Sequence, residues 1–237
     1  MHFLNIGSMI RFITRQEIAE TKKIISSELA MIQKAFFDEE VLEDYKKDNE
    51  AHLYLESFDF LDRQTTDYTS HYKVLGLGHT DIDTFVPRLT EKLEELFNIT
   101  SSPEFIIAAD RKADFFGNRD NKFKPLVKSY EQLEQIVGKN TYREAFVMDR
   151  QSLAGFMEIV FWLVRCDPGV PQYIFISDSQ EKMQFHLCQY GNIHLTEFGV
   201  ETLPAELLRS LGWEIIEGRE FDNFTSDGKI NGRRLKL

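Results

Sequence analysis

Three short runs of this 237-residue chain hold side chains that can move protons, hold a cation or attack an electrophile. The first is Gly78-His79-Thr80-Asp81-Ile82-Asp83. In an extended backbone, the His-x-Asp-x-Asp spacing aims one imidazole and two carboxylates to the same side. That set suits a divalent metal or a general base. The same residues also have a plain structural use at the start of the helix that follows. Thr80 or Asp81 is a natural N-cap, and Asp83 suits the positive first turn. No further ligand group stands nearby, so no metal is assigned.

The second run is Asp110-Arg111-Lys112-x-Asp114, after the apolar stretch Phe105 to Ala109. The carboxyl end of a strand is where ligands gather in open α/β sheets. There Asp110 would act as a base, with Arg111 and Lys112 holding an anion. Against this, charged solvated loops are the ordinary way for strands to end. The third set is His186, Cys188 and His194. His186 and Cys188 share one face of a strand, and His194 lies across the expected hairpin. A Cys–His nucleophile also needs an orienting residue and an oxyanion pocket, for which no residues are evident. Gly76-x-Gly78 lacks the third glycine and the Gly-Lys-Ser/Thr of a phosphate loop. Gly-x-Ser-x-Gly and His-Glu-x-x-His are absent.

The charge pattern points elsewhere. Segment 38–62 carries ten acidic residues against Lys46 and Lys47, a net of −8, within a chain of net charge −11. Tyr45, Tyr54, Phe58 and Phe60 are interleaved with these carboxylates. Aromatic anchors inside a polar rim suit a protein interface, and an acidic surface speeds association with a basic partner. The expected binding residues are Asp38, Glu39, Glu40, Glu43, Asp44, Tyr45, Tyr54, Phe58 and Phe60. Such an acidic chain repels nucleic-acid phosphates and anionic lipid at long range, so neither is expected as a direct partner. Loop 111–128 is the basic exception, with six bases against two acids and with Phe115, Phe116 and Phe123 among them. It reads as the complement of the acidic segment, within the chain or across a dimer, rather than as a base-stacking surface.

These groups must be positioned by a fold of ordinary composition, 42% apolar and 28% charged, with an excess of phenylalanine at twenty. Large rings supply ample core without a disulfide or metal staple. Two cysteines, in no zinc-like spacing, suit a reducing compartment. The longest apolar stretch, Ile159 to Val164, is far short of a membrane span, and the N-terminus shows no signal-peptide pattern. A cytoplasmic location is expected.

Thr14-Arg15-Gln16-Glu17 reads as a capping box opening an amphipathic helix over about 15–37, whose stripe is interrupted by Lys22. Further helices are expected over about 39–48, 83–97, 130–137 and 204–211, and strands over 72–77 and 105–109. Residues 52–61 fit either class. Four β-rich runs, 158–166, 173–177, 183–189 and 193–198, are separated by short turns and predict an antiparallel meander. Trp213 to Ile216 reads as one more strand, and the polar residues from 218 read as a mobile tail. The fold class is therefore α+β, an N-terminal helical lobe with a C-terminal antiparallel β-meander packed against helices. It is read as one unit, with a helical lobe over about 1–100, a sheet-rich lobe over 101–220 and the tail over 218–237. The function implied is non-catalytic protein binding, of the kind by which immunity or antitoxin proteins inhibit a basic partner, with no cofactor. The alternative is a metal- or carboxylate-dependent hydrolase or transferase built on His79, Asp81 and Asp83 or on Asp110.

Overall fold

The computed structural model describes residues 10–218 together with 222, 224, 225 and 230. Eight strands among them form one sheet: β1 (Ile10–Ile13), β2 (Ser70–Gly76), β3 (Glu104–Ala109), β4 (Ala145–Asp149), β5 (Ile174–Asp178), β6 (Met183–Leu187), β7 (Ile193–Phe198) and β8 (Glu214–Ile215). Their order is β1-β4-β3-β5-β6-β7-β2-β8, and every neighbouring pair is antiparallel. The helices are α1 (Arg15–Thr21), α2 (Lys23–Phe36), α3 (Glu39–Lys47), α4 (Ala51–Glu56), α5 (Ile82–Thr100), α6 (Lys124–Val137), α7 (Arg150–Cys166) and α8 (Ala205–Ser210). The expected class holds: N-terminal helices and an antiparallel sheet packed against helices. The sheet draws β1 and β2 from the first hundred residues, and β5-β6-β7 form the meander.

The two faces of the sheet are covered differently. Alternation along the strands sends Phe105, Ile107, Phe146, Met148, Ile174, Ile176, Phe185, Leu187, Ile193 and Leu195 to one face, where α5, α6, α7 and α8 close the main core. On the other face, Ile106, Ala108, Ala145, Val147 and Phe175 meet Ile18 of α1 and Ile25, Leu29 and Ala30 of α2. Those helices shelter only the half of the sheet around β4, β3 and β5. Beyond it the same face carries Gln184, His186, His194, Thr196 and Tyr72.

One expected strand is a helix. Glu158–Cys166 belongs to α7, which starts at Arg150 with the Asp149 carboxylate accepting the Ser152 N–H at 2.7 Å. Thirteen of its 17 residues are buried, because it packs against the sheet on one side and α5 and α6 on others. A helix enclosed nearly all round shows an unbroken apolar run rather than a 3.6-residue stripe, which is also the signature of a buried strand. The strand that does precede it, β4, has no counterpart among the sequence-based expectations. The long first helix is also divided. The capping box forms as expected, but at Lys22 the backbone leaves the helical region with φ −124 and ψ 90. The N–H groups of Ile24 and Ile25 then donate to the Glu181 carboxylate at 2.7 and 3.0 Å, while Lys22 Nζ donates to the Ser179 carbonyl. The turn between β5 and β6 thus caps α2.

Most of the expected tail, 218–237, lies outside the described residues. Asp222 pairs with Arg165 at 3.2 Å, and the Phe224 ring packs against Phe85 and Phe161.

A buried polar cluster ties the N-terminal helices to the sheet. The Arg15 side chain is 1% exposed. Its Nε and Nη2 donate to the two Asp59 oxygens at 2.7 and 3.0 Å, and Nη1 donates to the Ala109 carbonyl at 2.7 Å. Gln33 donates to Asp59 and to the Asp110 carbonyl, each at 3.0 Å, and accepts the Phe60 N–H at 2.7 Å. Removing one partner of such a pair leaves an uncompensated buried charge. Asp59→Ala is expected to lower unfolding stability by about 2–3 kcal/mol in urea titration, given that Asp59 is itself partly solvated. Lys46→Ala, which breaks an exposed pair with Glu43, should leave the midpoint nearly unchanged.

Candidate functional site

The His79-to-Asp83 run is absorbed by the start of α5. Asp81 is the N-cap, its carboxylate accepting from the Asp83 N–H at 3.1 Å and from Thr84 Oγ1 at 2.8 Å. Those hydrogen bonds, Thr84 first, hold its pKa below the usual value. His79 Nε2 lies 2.8 Å from the same Thr84 oxygen. Asp83 is an exposed first-turn residue. The run therefore does what its capping interpretation requires. Among the described residues, no group of three or more His, Cys, Asp or Glu is placed to hold a metal ion.

Asp110 does not open into solvent at the end of β3; it is fully buried. Its carboxylate accepts the N–H of Arg111 at 2.7 Å and that of Tyr173 at 3.3 Å. Burial raises its pKa, and the nearby Arg111 charge and these backbone donors oppose the rise. Both oxygens are thus held by main chain, and Asp110 fastens the end of β3 to the start of β5.

His186 and His194 are register partners on β6 and β7, with rings stacked at 4.4 Å between centroids. Tyr72 on β2 brings its hydroxyl to 2.5 Å from His194 Nδ1. Cys188 follows His186 on the same face, and no disulfide joins it to Cys166. A cleft of about 610 Å³ opens beside this pair, where β3 ends, β5 begins and β6 turns back. Arg111, Asp167, His186, Cys188, Tyr190 and His194 contribute to its lining. The sequence brings out His186, Cys188 and His194 as a group but gives no sign that Arg111 joins them. Four loop ends remote in sequence converge there only once β3, β5 and β6 are neighbours.

The acidic segment folds into α3 and α4, a helical hairpin in which no helical residue is buried. Asp38 caps α3, accepting from the N–H groups of Glu40 and Val41. Glu39, Glu40, Glu43 and Asp44 are exposed along α3. Glu43 and Asp44 pair locally with Lys46 and Lys47 at 2.6 Å. Asp59 is taken by Arg15, and Glu56 lies 3.9 and 3.8 Å from Lys112 and Arg143. The Lys112 contact is one point at which the basic loop does complement the acidic segment. Asp38, Glu39, Glu40, Asp48, Glu50 and Asp62 have no ion-pair partner among the described residues, and all are exposed. The aromatic residues divide. Phe58 and Phe60, only 4% and 1% exposed, are part of the interior rather than outward anchors. The Tyr54 ring packs against Phe37, Tyr45 and Phe58, and its hydroxyl accepts the Asp38 N–H at 2.9 Å. Tyr45 is exposed, and the other exposed apolar residues of the hairpin are Val41, Leu53 and Leu55, which the sequence pattern does not single out.

In the basic loop, Phe115 and Phe116 are buried, and Arg119 lies over the Phe116 ring at 3.8 Å, so those rings are closed to nucleobases. No helix among the described residues is long and apolar enough to cross a membrane. Comparison with known protein families, curated proteins and solved structures finds no match for this chain.

His186 sets a pH dependence. Burial first, and the neighbouring His194 second, lower its pKa to about 3. An unfolded histidine titrates near 6.5, so below that pH the unfolded chain binds a proton that the folded ring refuses. The stability this difference preserves at neutral pH is lost as pH falls from about 6.5 toward 3, by about 1–2 kcal/mol at pH 5 from this ring alone. Glu28 and Asp110, whose pKa values are raised by burial, shift in the opposite sense at lower pH. Urea unfolding of wild type and His186→Gln at pH 7 and pH 5 isolates the ring. The variant is expected to lose less stability on acidification.

Proposed function

We propose that this chain is a non-catalytic binding protein of the cytoplasm, an inhibitor of the immunity or antitoxin kind that receives a basic protein partner on the α3–α4 hairpin. The observation that carries this reading is the hairpin's surface. It buries none of its helical residues, yet it bears Val41, Tyr45, Leu53 and Leu55, four of the nine large hydrophobic residues exposed among those described. Exposed apolar side chains concentrated on one short acidic element point to an interaction site, whereas ones spread singly over a surface need no explanation. Around them stand Asp38, Glu39, Glu40, Glu43 and Asp44.

The charge selects the partner. Exposed pairs such as Glu43–Lys46 and Asp44–Lys47 are worth little, so an incoming arginine or lysine can displace the local lysine at small cost. The unpaired carboxylates steer a basic surface into fast encounter. A protein that acts on nucleic acid carries such a surface because it must neutralise phosphates. A nuclease-type toxin is the partner this chemistry suits. The hydrolase or transferase alternative draws on groups already engaged: Asp81 and His79 in capping, and Asp110 in main-chain bonds.

The test is recovery from the native host with wild type as bait, beside two variants, Glu43→Gln/Asp44→Gln and Val41→Ala/Leu53→Ala. A basic protein should be retained by wild type and weakened as salt rises from low to physiological. Each variant should bind it at least about tenfold more weakly, with its own unfolding midpoint unchanged. Retention by both variants at wild-type strength, or a complex indifferent to salt, overturns the reading.

A further inference from the structure

The geometry points to a second site, independent of the hairpin: the cleft at the ends of β3, β5 and β6 binds a small organic oxyanion. Its ligand carries a carboxylate or phosphate head on an apolar or ring-bearing body. Arg111 holds the head, and the neutral His186 ring donates a hydrogen bond to the same oxygens.

The charge balance inside the cleft comes first. Arg111 makes no side-chain hydrogen bond or ion pair to any described residue, and its Nε is buried without a partner. Elsewhere in this acidic chain, buried or half-buried cations are engaged: Arg15 by Asp59, Arg165 by Asp222, Lys73 by Glu197. The one acid lining the cleft, Asp167, cannot serve Arg111. One of its oxygens accepts from the Tyr130 hydroxyl and from the Asn118 N–H at 2.7 Å, and the other accepts the Gly169 N–H at 2.8 Å. Asp110 lies close enough to feel the Arg111 charge, but its oxygens are held by main-chain N–H groups and it does not line the cleft, so the charge that faces the cleft is positive. A guanidinium fork matches the paired oxygens of a carboxylate or phosphate.

The second observation is His186 Nε2, buried and without a hydrogen-bond partner. Because the ring is neutral at physiological pH, it offers one nitrogen as donor or acceptor rather than a second positive charge. A buried polar atom left unmatched in a lined cleft calls for a partner group on a ligand. Apolar lining comes from Val164, Pro168, Val170 and Pro171, and the cleft volume is within the range of small-molecule sites. This lining is held in place before any ligand arrives. Gly117 and Gly169 approach so closely that a Cβ on Gly117 would stand 2.4 Å from the Gly169 carbonyl carbon, and Asp167 fastens both loops. A pre-set wall lowers the ordering cost of binding.

The probes are benzoate and phenyl phosphate, with benzamide as the uncharged control, titrated into the full chain and followed by NMR of the Arg111 Nε–H and the His186 ring. At least one charged probe is expected to saturate at millimolar concentration or below and to shift both signals. Benzamide should bind at least about tenfold more weakly. Whichever charged probe binds more tightly identifies the head group. Arg111→Gln should weaken that probe by at least about tenfold, and Arg111→Lys by less, since the charge stays while the fork is lost. The site is refuted if neither charged probe saturates, if benzamide binds as well as they do, or if the shifted signals belong elsewhere. Should Arg111→Gln fail to fold, the comparison of charged and neutral probes on wild type decides alone.

Discussion

Arg15 lies under the first helix with its guanidinium almost sealed from water, and much of the architecture follows from how that charge is satisfied. Burying an ion costs several kcal/mol even after relaxation, so the cluster must return that energy through geometry. It does so with two bonds to Asp59, one to the Ala109 carbonyl and the face of the Phe60 ring 5.1 Å away. Each contact fixes a different piece of chain. Asp59 sets where the segment after α4 enters the interior, Ala109 marks the end of β3, and Gln33 adds α2 through Asp59 and the Asp110 carbonyl. Because Asp110 in turn holds the N–H groups of Arg111 and Tyr173, the position of Arg111 at the cleft is linked by hydrogen bonds to the base of the acidic hairpin. One buried charge thus registers both surfaces against the sheet.

The uneven covering of the sheet is the second constraint. Strands buried on both faces carry apolar residues at every position, as in the Phe105-to-Ala109 run of β3. Past β5 the helices on one face end, and alternation returns: Phe185 and Leu187 point to the main core, while Gln184 and His186 point the other way. The stacked imidazoles sit at this transition, close enough to the helices to be desolvated yet still at the edge of a cavity. A lone ring in the core would have needed an internal partner, and one in full solvent would titrate normally. Its lowered pKa reflects that intermediate position.

The parts of the fold readable from sequence are those with one exposed face or one local device. The Thr14–Glu17 box, the α5 stripe from Phe85 to Phe97 and the turns of the β5-β6-β7 meander each announce themselves within a few residues. Where burial is complete, the signal vanishes. Ile159 to Val164 reads the same as strand or helix, and only the Asp149 cap ten residues earlier separates them. The break at Lys22 depends on Glu181, more than 150 residues away, which no local pattern can supply. The same distinction governs the candidate sites. The acidic hairpin is legible because charge is a property of a segment. The cleft is not, because Arg111 meets His186 only through strand order, and Phe58 looks like a surface anchor until the Arg15–Asp59 pair draws its segment inside.

The hairpin itself raises a stability question, since helices of nine and six residues are marginal when none of their residues is fully buried. Its persistence rests on local devices instead. Asp38 caps α3 and opposes the helix dipole together with Glu39 and Glu40; Lys46 and Lys47 do the same at its other end. The Tyr54 hydroxyl takes the Asp38 N–H, and its ring joins Phe37, Tyr45 and Phe58 in a cluster that clamps α4 to the end of α2. These contacts leave Val41, Leu53, Leu55 and the outer carboxylates uncommitted while fixing the backbone that carries them. An element stabilised in that way has little internal reason for its surface composition, and a partner meeting it would pay little to order it. The features that keep the hairpin folded without burial are therefore the same ones that would make it a pre-set docking surface.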